Sequence, residues 1–220
     1  MNTLVIGGTS GLGLEIARDF RSEGDKVWVT GRRAFKESGL TYIRLDLAGP
    51  ELPKRIREFV VSLPKINSLI YAAGFFQDGR VTDLSTRQIE DMLDVCGRGL
   101  IYLMKEILDK QGNLDELVTI TSTSQWTPRQ REPIYNFVKS GVAHFSNAMA
   151  EDGRVGRVLV AGPSGMRTSF WEGIDRGDLD TMLDPSWVSK EVMKLREGDY
   201  KYRFARILRQ PSRIEIGETR

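Results

Sequence analysis

An apolar run from Thr3 to Ile6 breaks at Gly7-Gly8-Thr9-Ser10-Gly11-Leu12-Gly13 and resumes with helical period from Leu14 to Arg18. A strand that passes through glycines directly into a helix restricts the fold more than any other feature of this chain. Glycine there admits positive φ and lets a bulky anion approach the amides at the helix N-terminus, where the helix dipole favours negative charge. The predicted object is a pyrophosphate cradle at the end of a sheet strand. Its spacing, Gly-x-x-x-Gly-x-Gly from Gly7, differs from the Gly-x-Gly-x-x-Gly of many dinucleotide sites. On the turn alone, tight helix packing is the competing explanation.

The rest of the chain repeats the same alternation. Strand-length apolar runs occur at Lys26 to Thr30, Tyr42 to Leu45, Ser68 to Ala72, Leu117 to Thr121 and Arg157 to Ala161. Helical periods fill Leu12 to Glu23, Leu52 to Leu63, Arg87 to Lys110 and Pro133 to Glu151, with a shorter one after Pro185. The apolar runs are continuous rather than alternating, as in strands covered on both faces. The pattern predicts an α/β fold: a Rossmann-type doubly wound parallel sheet with helices on both faces, in a single domain over residues 1–220. Only Gly31 to Thr41 separates the second and third runs, which leaves no room for a full helix. Residues 163–185, broken by Gly165, Gly173 and Gly177, are expected to form a binding loop.

Composition removes several function classes. Apolar residues at 40% and charged residues at 28%, with no stretch near the roughly 18 apolar residues of a span, exclude membrane embedding. Thirty-two Lys+Arg against 30 Asp+Glu leave +2, too balanced for a dedicated nucleic-acid binder. Cys96 is the one cysteine and His144 the one histidine, so an internal disulfide is excluded, and a Cys-based metal site and a Ser-His-Asp relay are disfavoured. No metal is expected. An apolar run that opens at Thr3 without a basic segment and a hydrophobic leader ahead of it predicts a cytoplasmic protein.

The second strand run ends in Thr30-Gly31-Arg32-Arg33, without Asp or Glu. A carboxylate at this point would take the ribose 2′-hydroxyl of NAD, whereas an arginine can pair with a 2′-phosphate. Arg32 is the expected clamp and Arg33 its helper, so NADP(H) is preferred over NAD(H); two solvated loop arginines are the alternative. In Leu45-Asp46-Leu47 the carboxylate either faces the adenine or caps the next helix.

Tyr135-Asn136-Phe137-Val138-Lys139 sets a phenol and an ammonium one helical turn apart on one face. Ser122, at the end of the Leu117 to Thr121 run, lies thirteen residues before Tyr135. With the glycine turn, this order and spacing resemble the short-chain dehydrogenase/reductase family, over Thr3 to about Thr168. The resemblance implies a catalytic Ser122, Tyr135 and Lys139. It implies coenzyme contacts from Gly7, Thr9, Ser10, Gly11, Leu12 and Gly13, from Asp46 and Leu47, from Ala73 and Gly74, and from Tyr135 and Lys139 themselves. Pro163-Ser164-Gly165-Met166-Arg167-Thr168 resembles the segment that meets the nicotinamide carboxamide, with Pro163 and Thr168 as contacts. The implied chemistry is hydride exchange with a carbonyl or alcohol: Tyr135 as acid or base, Ser122 hydrogen-bonding the substrate oxygen, Lys139 lowering the phenol pKa from its ordinary value near 10. Pairing through the two long helices, to a homodimer or homotetramer, is implied as well.

Two positions depart from the family pattern. Tyr71-Ala72-Ala73-Gly74 stands where the family has Asn-Asn-Ala-Gly, and the family's helix asparagine aligns with Cys96 or, two residues earlier, with Asp94. These losses motivate the alternative of a coenzyme-binding sensor or scaffold with little turnover. On the substrate side, Trp126, Phe75, Phe76, Phe170 and Trp171 are expected near the nicotinamide end, which favours a small apolar carbonyl substrate. His144 is read as a packing or surface residue. The arginine-rich segment from Lys201 to Arg220 is read as a solvated face or subunit contact.

Overall fold

A computed structural model describes residues 1–174 and 177–220; Asp175 and Arg176, within the expected binding loop, lie outside the described residues. The chain runs β1 (Asn2–Ile6), α1 (Gly11–Ser22), β2 (Lys26–Gly31), β3 (Leu40–Arg44), α2 (Leu52–Ser62), β4 (Ser68–Tyr71), α3 (Thr86–Leu93), a π-turn (Asp94–Arg98), α4 (Gly99–Gln111), β5 (Leu114–Ile120), α5 (Pro133–Met149), β6 (Val155–Pro163), α6 (Pro185–Leu195), β7 (Tyr202–Leu208) and β8 (Arg213–Thr219). The sheet order is β3-β2-β1-β4-β5-β6-β7-β8, with β8 alone antiparallel to its neighbour. Because β1 lies in parallel between β2 and β4, the direction of winding reverses at β1. The C-terminal end of β1 is therefore the topological switch point, where α/β sheets open a crevice.

Alternate side chains of the strands feed two cores. Leu4, Ile6, Leu69, Tyr71, Leu117, Val158 and Val160 pack under α2, α4 and α5, while Val5, Val27, Val29, Ile70, Val118 and Leu159 pack under α1 and α6. Both sets are buried, which is why the strand runs are apolar without alternation; each such Leu or Ile contributes roughly 1.5–3 kcal/mol. Helix starts follow local chemistry. Ser85 and Gln88 form a reciprocal cap on α3, and Asp184 accepts from the Ser186 and Trp187 amides ahead of Pro185 on α6. As expected, the segment between β2 and β3 forms no helix. Among the described residues no helix is long and apolar enough to cross a membrane.

The segment from Lys201 onward is more ordered than the sequence alone indicates. It supplies β7 and β8, with Tyr202, Ala205 and Ile207 buried in the sheet and β8 largely exposed. The arginines hide the strand because their stems lie on aromatic surface: Arg203 sits 4.1 Å over the Tyr200 ring and Arg206 5.1 Å over Trp126.

Between α3 and α4 the helix widens over Asp94–Arg98. The hydroxyl of Tyr71, which stands at the end of β4, donates to the Val95 carbonyl at 2.7 Å and faces the Leu100 amide. It occupies space that a side chain at Gly99 would need, since a Cβ there would lie 2.6 Å from the Tyr71 oxygen. The extra width turns Cys96 inward to donate to the Phe75 carbonyl at 3.6 Å, whereas Asp94 pairs with Arg98 at 2.7 Å. Cys96, not Asp94, is thus the residue beside the cleft.

Candidate active site

The ends of β1, β4, β5 and β6 open into a cleft of about 880 Å³. At its narrow side Gly7 has φ +81°, and a Cβ on it would lie 2.8 Å from the Ala73 backbone; a Cβ on Gly13 would lie 2.3 Å from the Gly7 carbonyl. These two glycines are required by chain-to-chain contact, whereas Gly11, at φ +52°, borders the cleft and Thr168. The Ser10 side chain makes no cap bond to α1, so the first amides of that helix point toward the opening unmatched by a side chain. A phosphate-bearing ligand fits this turn on both counts, backbone access and helix polarity.

Thr9, Ser10, Leu12, Ala73, Gly74 and Pro163 all line the same cleft, as do Arg32 and Arg33. Both arginines are exposed, and neither makes a hydrogen bond or ion pair with another described residue. Asp46 is not brought to the cleft. Its carboxylate accepts from the Ala48 amide at 3.0 Å, Glu51 rather than Asp46 precedes α2, and the wall is made by Leu45 and Leu47. A short polar side chain two residues before an available amide closes its own turn more readily than it reaches across a groove.

Ser122, Tyr135 and Lys139 meet at the floor. Ser122 begins the short turn after β5, with its Oγ accepting from the Ser124 amide at 3.2 Å and donating to Ser124 Oγ at 3.3 Å. Tyr135 and Lys139 project from the first two turns of α5, which Pro133 starts. Lys139 is 5% exposed, donates to the Ile120 carbonyl at 3.0 Å, and lies 5.6 Å from the Tyr135 ring centre. Burial pushes its ammonium below the ordinary lysine value, partly countered by Cys96. Tyr135 is 8% exposed, and burial drives its phenol well above 10, against a hydrogen bond from Ser122 that lowers it. Lys139 is turned to the Ile120 carbonyl, and burial is the larger influence on the phenol.

Aromatic rings roof the phenol. Phe76 stands edge-on to Tyr135 at 5.5 Å and to Trp171 at 5.5 Å, and Phe170 lies 4.9 Å from Trp171 and 6.3 Å from Tyr135. Trp171 donates from Nε1 to the Met166 carbonyl at 2.9 Å, and Thr168 accepts from the Phe170 amide at 3.3 Å, which fixes the loop over the cleft. Phe75, Phe170 and Trp171 line the cleft as expected, but Trp126 does not. Its ring packs at 5.7 Å on Phe204 and over Gly162, because the turn after Ser122 aims it back at β6 and β7. The residues that do occupy the wall beyond Ser122 are Thr123, Ser124, Arg129 and Glu132, which no motif singled out. Their position between Ser122 and Tyr135 was the available signal.

Comparison with known proteins agrees with this geometry. The model of the family described as short chain dehydrogenase matches residues 1–178. An uncharacterized oxidoreductase of Staphylococcus saprophyticus is 23% identical over 98% of this chain and 94% of its own length. An NADP-dependent 3-hydroxy acid dehydrogenase of Shigella flexneri is 30% identical over 69% of this chain and 66% of its own. A solved serine dehydrogenase in its closed form, complexed with NADP+, superposes with a TM-score of 0.76 at 25% identity, covering 92% of this chain and 93% of that one. With the glycine turn at the switch point and the serine, tyrosine and lysine gathered below it, the chain belongs to the short-chain dehydrogenase/reductase family.

Proposed function

We propose that this protein is an NADP(H)-dependent oxidoreductase that interconverts a small, largely apolar carbonyl compound and its alcohol. The convergence of Ser122, Tyr135 and Lys139 on the floor of the cleft carries this reading. Gly7, Gly11, Gly13 and the α1 amides would hold a pyrophosphate, Arg32 and Arg33 a 2′-phosphate, and Pro163 and Thr168 the nicotinamide end. When bound, the reduced coenzyme supplies hydride to the carbonyl carbon.

The protein handles the proton. Ser122 Oγ–H and Tyr135 Oη–H both donate to the substrate oxygen, and Tyr135 releases its proton to that oxygen as the carbonyl becomes an alkoxide. Burial keeps the phenol protonated, which suits it to the acid role in reduction. Lys139, held by the Ile120 carbonyl, is placed to restore the proton and to steady the coenzyme ribose. Phe76, Phe170 and Trp171 exclude water and offer apolar contact to the substrate. The NADP-dependent name of the Shigella flexneri relative supports the coenzyme choice, and no observation favours a non-catalytic sensor. A homodimer or homotetramer through α4 and α5 accounts for the exposed Ile101 (46%) and Phe137 (67%) on those helices.

Purified protein should consume NADPH with an aromatic or aliphatic carbonyl, and Tyr135→Phe should remove turnover while NADPH still binds. Arg32→Ala should weaken NADPH roughly tenfold or more and leave NADH unchanged, in keeping with about 1.5–3 kcal/mol for a charged hydrogen bond before solvent screening. Equal affinity for the two coenzymes would overturn the NADP assignment. Full turnover by Tyr135→Phe would overturn the mechanism.

A further inference from the structure

Resting on the hydride-transfer reading above, we infer that the substrate carries a carboxylate close to its reacting carbon, and that Arg129 binds it. Arg129 lines the cleft one hydroxyl away from Ser122: its Nη1 donates to Ser124 Oγ at 2.7 Å, and Ser124 Oγ lies 3.3 Å from Ser122 Oγ. The same Nη1 reaches Glu132 Oε2 at 3.2 Å, and Nη2 donates to Thr123 Oγ1 at 2.9 Å. A guanidinium has five N–H donors. Three are taken here, and the Nε–H with the second Nη2–H has no partner among the described residues.

That remaining edge has a known use in this molecule. Arg18 gives Nη1 to Glu15 at 2.7 Å and clamps Glu37 side-on with Nε at 3.0 Å and Nη2 at 2.9 Å. Arg154 clamps Asp152 with the same two nitrogens, at 3.0 and 2.7 Å. Arg129 reproduces the first half of the Arg18 arrangement, with Glu132 in the place of Glu15, and its Nε–H bonds to no other described residue. A planar carboxylate matches that edge with two parallel charge-assisted bonds.

Arg129 is not alone in bracing its loop. Asn136 donates from Nδ2 to the Ser124 and Thr127 carbonyls, and Ser140 to the Gln125 carbonyl at 2.8 Å, so α5 already holds the turn. Glu132 and the serine fix the guanidinium, which lowers the entropy lost when an anion docks. The short path from Ser122 to Arg129 limits the spacer between carbonyl and carboxylate, as in 2-oxo and 3-oxo acids. The aromatic rings on the opposite wall then receive the substrate's remaining body. In the reductive direction the oxo acid takes a hydride from NADPH and a proton from Tyr135, giving the hydroxy acid and NADP+, with the carboxylate unchanged.

The test measures NADP+-dependent oxidation of 3-hydroxy-3-phenylpropanoate and of its ethyl ester by the full chain. The acid should exceed the ester in kcat/KM by roughly ten- to a hundredfold, the range of a lost charged hydrogen bond. In Arg129→Gln that ratio should fall toward one, mainly through KM, and Arg129→Lys should restore it only in part. An ester as good as the acid, or a ratio unchanged in Arg129→Gln, overturns the assignment. Calorimetry with unreactive 3-phenylpropanoate and its amide on the NADP+ complex separates this from the hydride reading. Arg129-dependent binding of the acid alone, without turnover of any alcohol, would sustain the carboxylate site and refute the dehydrogenase. Equal binding of acid and amide would refute the site.

Discussion

Tyr71 and Gly99 form a matched pair that can be tested by a double-mutant cycle. Tyr71 is 1% exposed and its hydroxyl donates to Val95 O at 2.7 Å. Tyr71→Phe leaves that carbonyl with one donor fewer in a dry site, a loss of about 1–3 kcal/mol. For a chain of this size each kcal/mol moves Tm by about 2–4 °C, so a fall of about 2–12 °C is expected. Gly99→Ala sets a Cβ 2.6 Å from the Tyr71 oxygen. Overpacking of that kind costs about 1–3 kcal/mol, offset by about 1 kcal/mol of helix propensity. Once the hydroxyl is gone, the nearest neighbours of the new Cβ are Asp94 O at 3.1 Å and Leu47 Cδ2 at 3.3 Å, contacts that small shifts relieve. The double variant should therefore be more stable than the sum of the single ones by about 1 kcal/mol or more. Urea denaturation of all four proteins, with m-values compared, measures this. Additivity within about 0.5 kcal/mol would refute the claim that the Tyr71 hydroxyl is what excludes a side chain at position 99.

Burial of Lys139 disfavours its charged form. Its folded-state pKa is depressed by burial, so between that value and the ordinary one near 10.4 the unfolded chain binds more protons, and stability rises with pH across the window. Lys139→Met should abolish turnover yet raise Tm near neutrality, with the gain shrinking as pH approaches the ordinary lysine value; thermal melts at several pH values check both signs. Trp126→Ala should behave in the opposite way. It removes the ring from Phe204 and Arg206, lowering stability by roughly 2–4 kcal/mol, while KM for substrate stays within about twofold in steady-state assays.

The central sheet was legible because strands such as β1 and β4 are buried on both faces, so hydrophobicity alone marked them. β7 was not, because Arg203 and Arg206 read as solvent-facing until the rings beneath them are known. Spacing located Ser122, Tyr135 and Lys139, since a strand end and one helical turn fix where those side chains emerge. It did not indicate where Asp46 and Trp126 point: a one-residue difference in a turn reverses a side chain, and motif register carries no such detail. Proximity of Lys139 to Tyr135 was visible in the sequence, but the burial of the phenol beneath Phe76 and Phe170 was not. Arg129 lies in plain view between two motifs, and its place on the cleft wall beside Ser124 emerges only in three dimensions.

The interlock of Gly7, Gly13 and Ala73 has a consequence for how coenzyme binding can be lost. These three meet through backbone, so the hollow proposed for the pyrophosphate is shaped by folding itself and exists before any ligand arrives. Recognition and architecture are one object at that corner and two separate objects elsewhere in the cleft. A selection for variants that remain folded but cannot bind the coenzyme should recover changes at Arg32 and Gly11, and return none at Gly7 or Gly13.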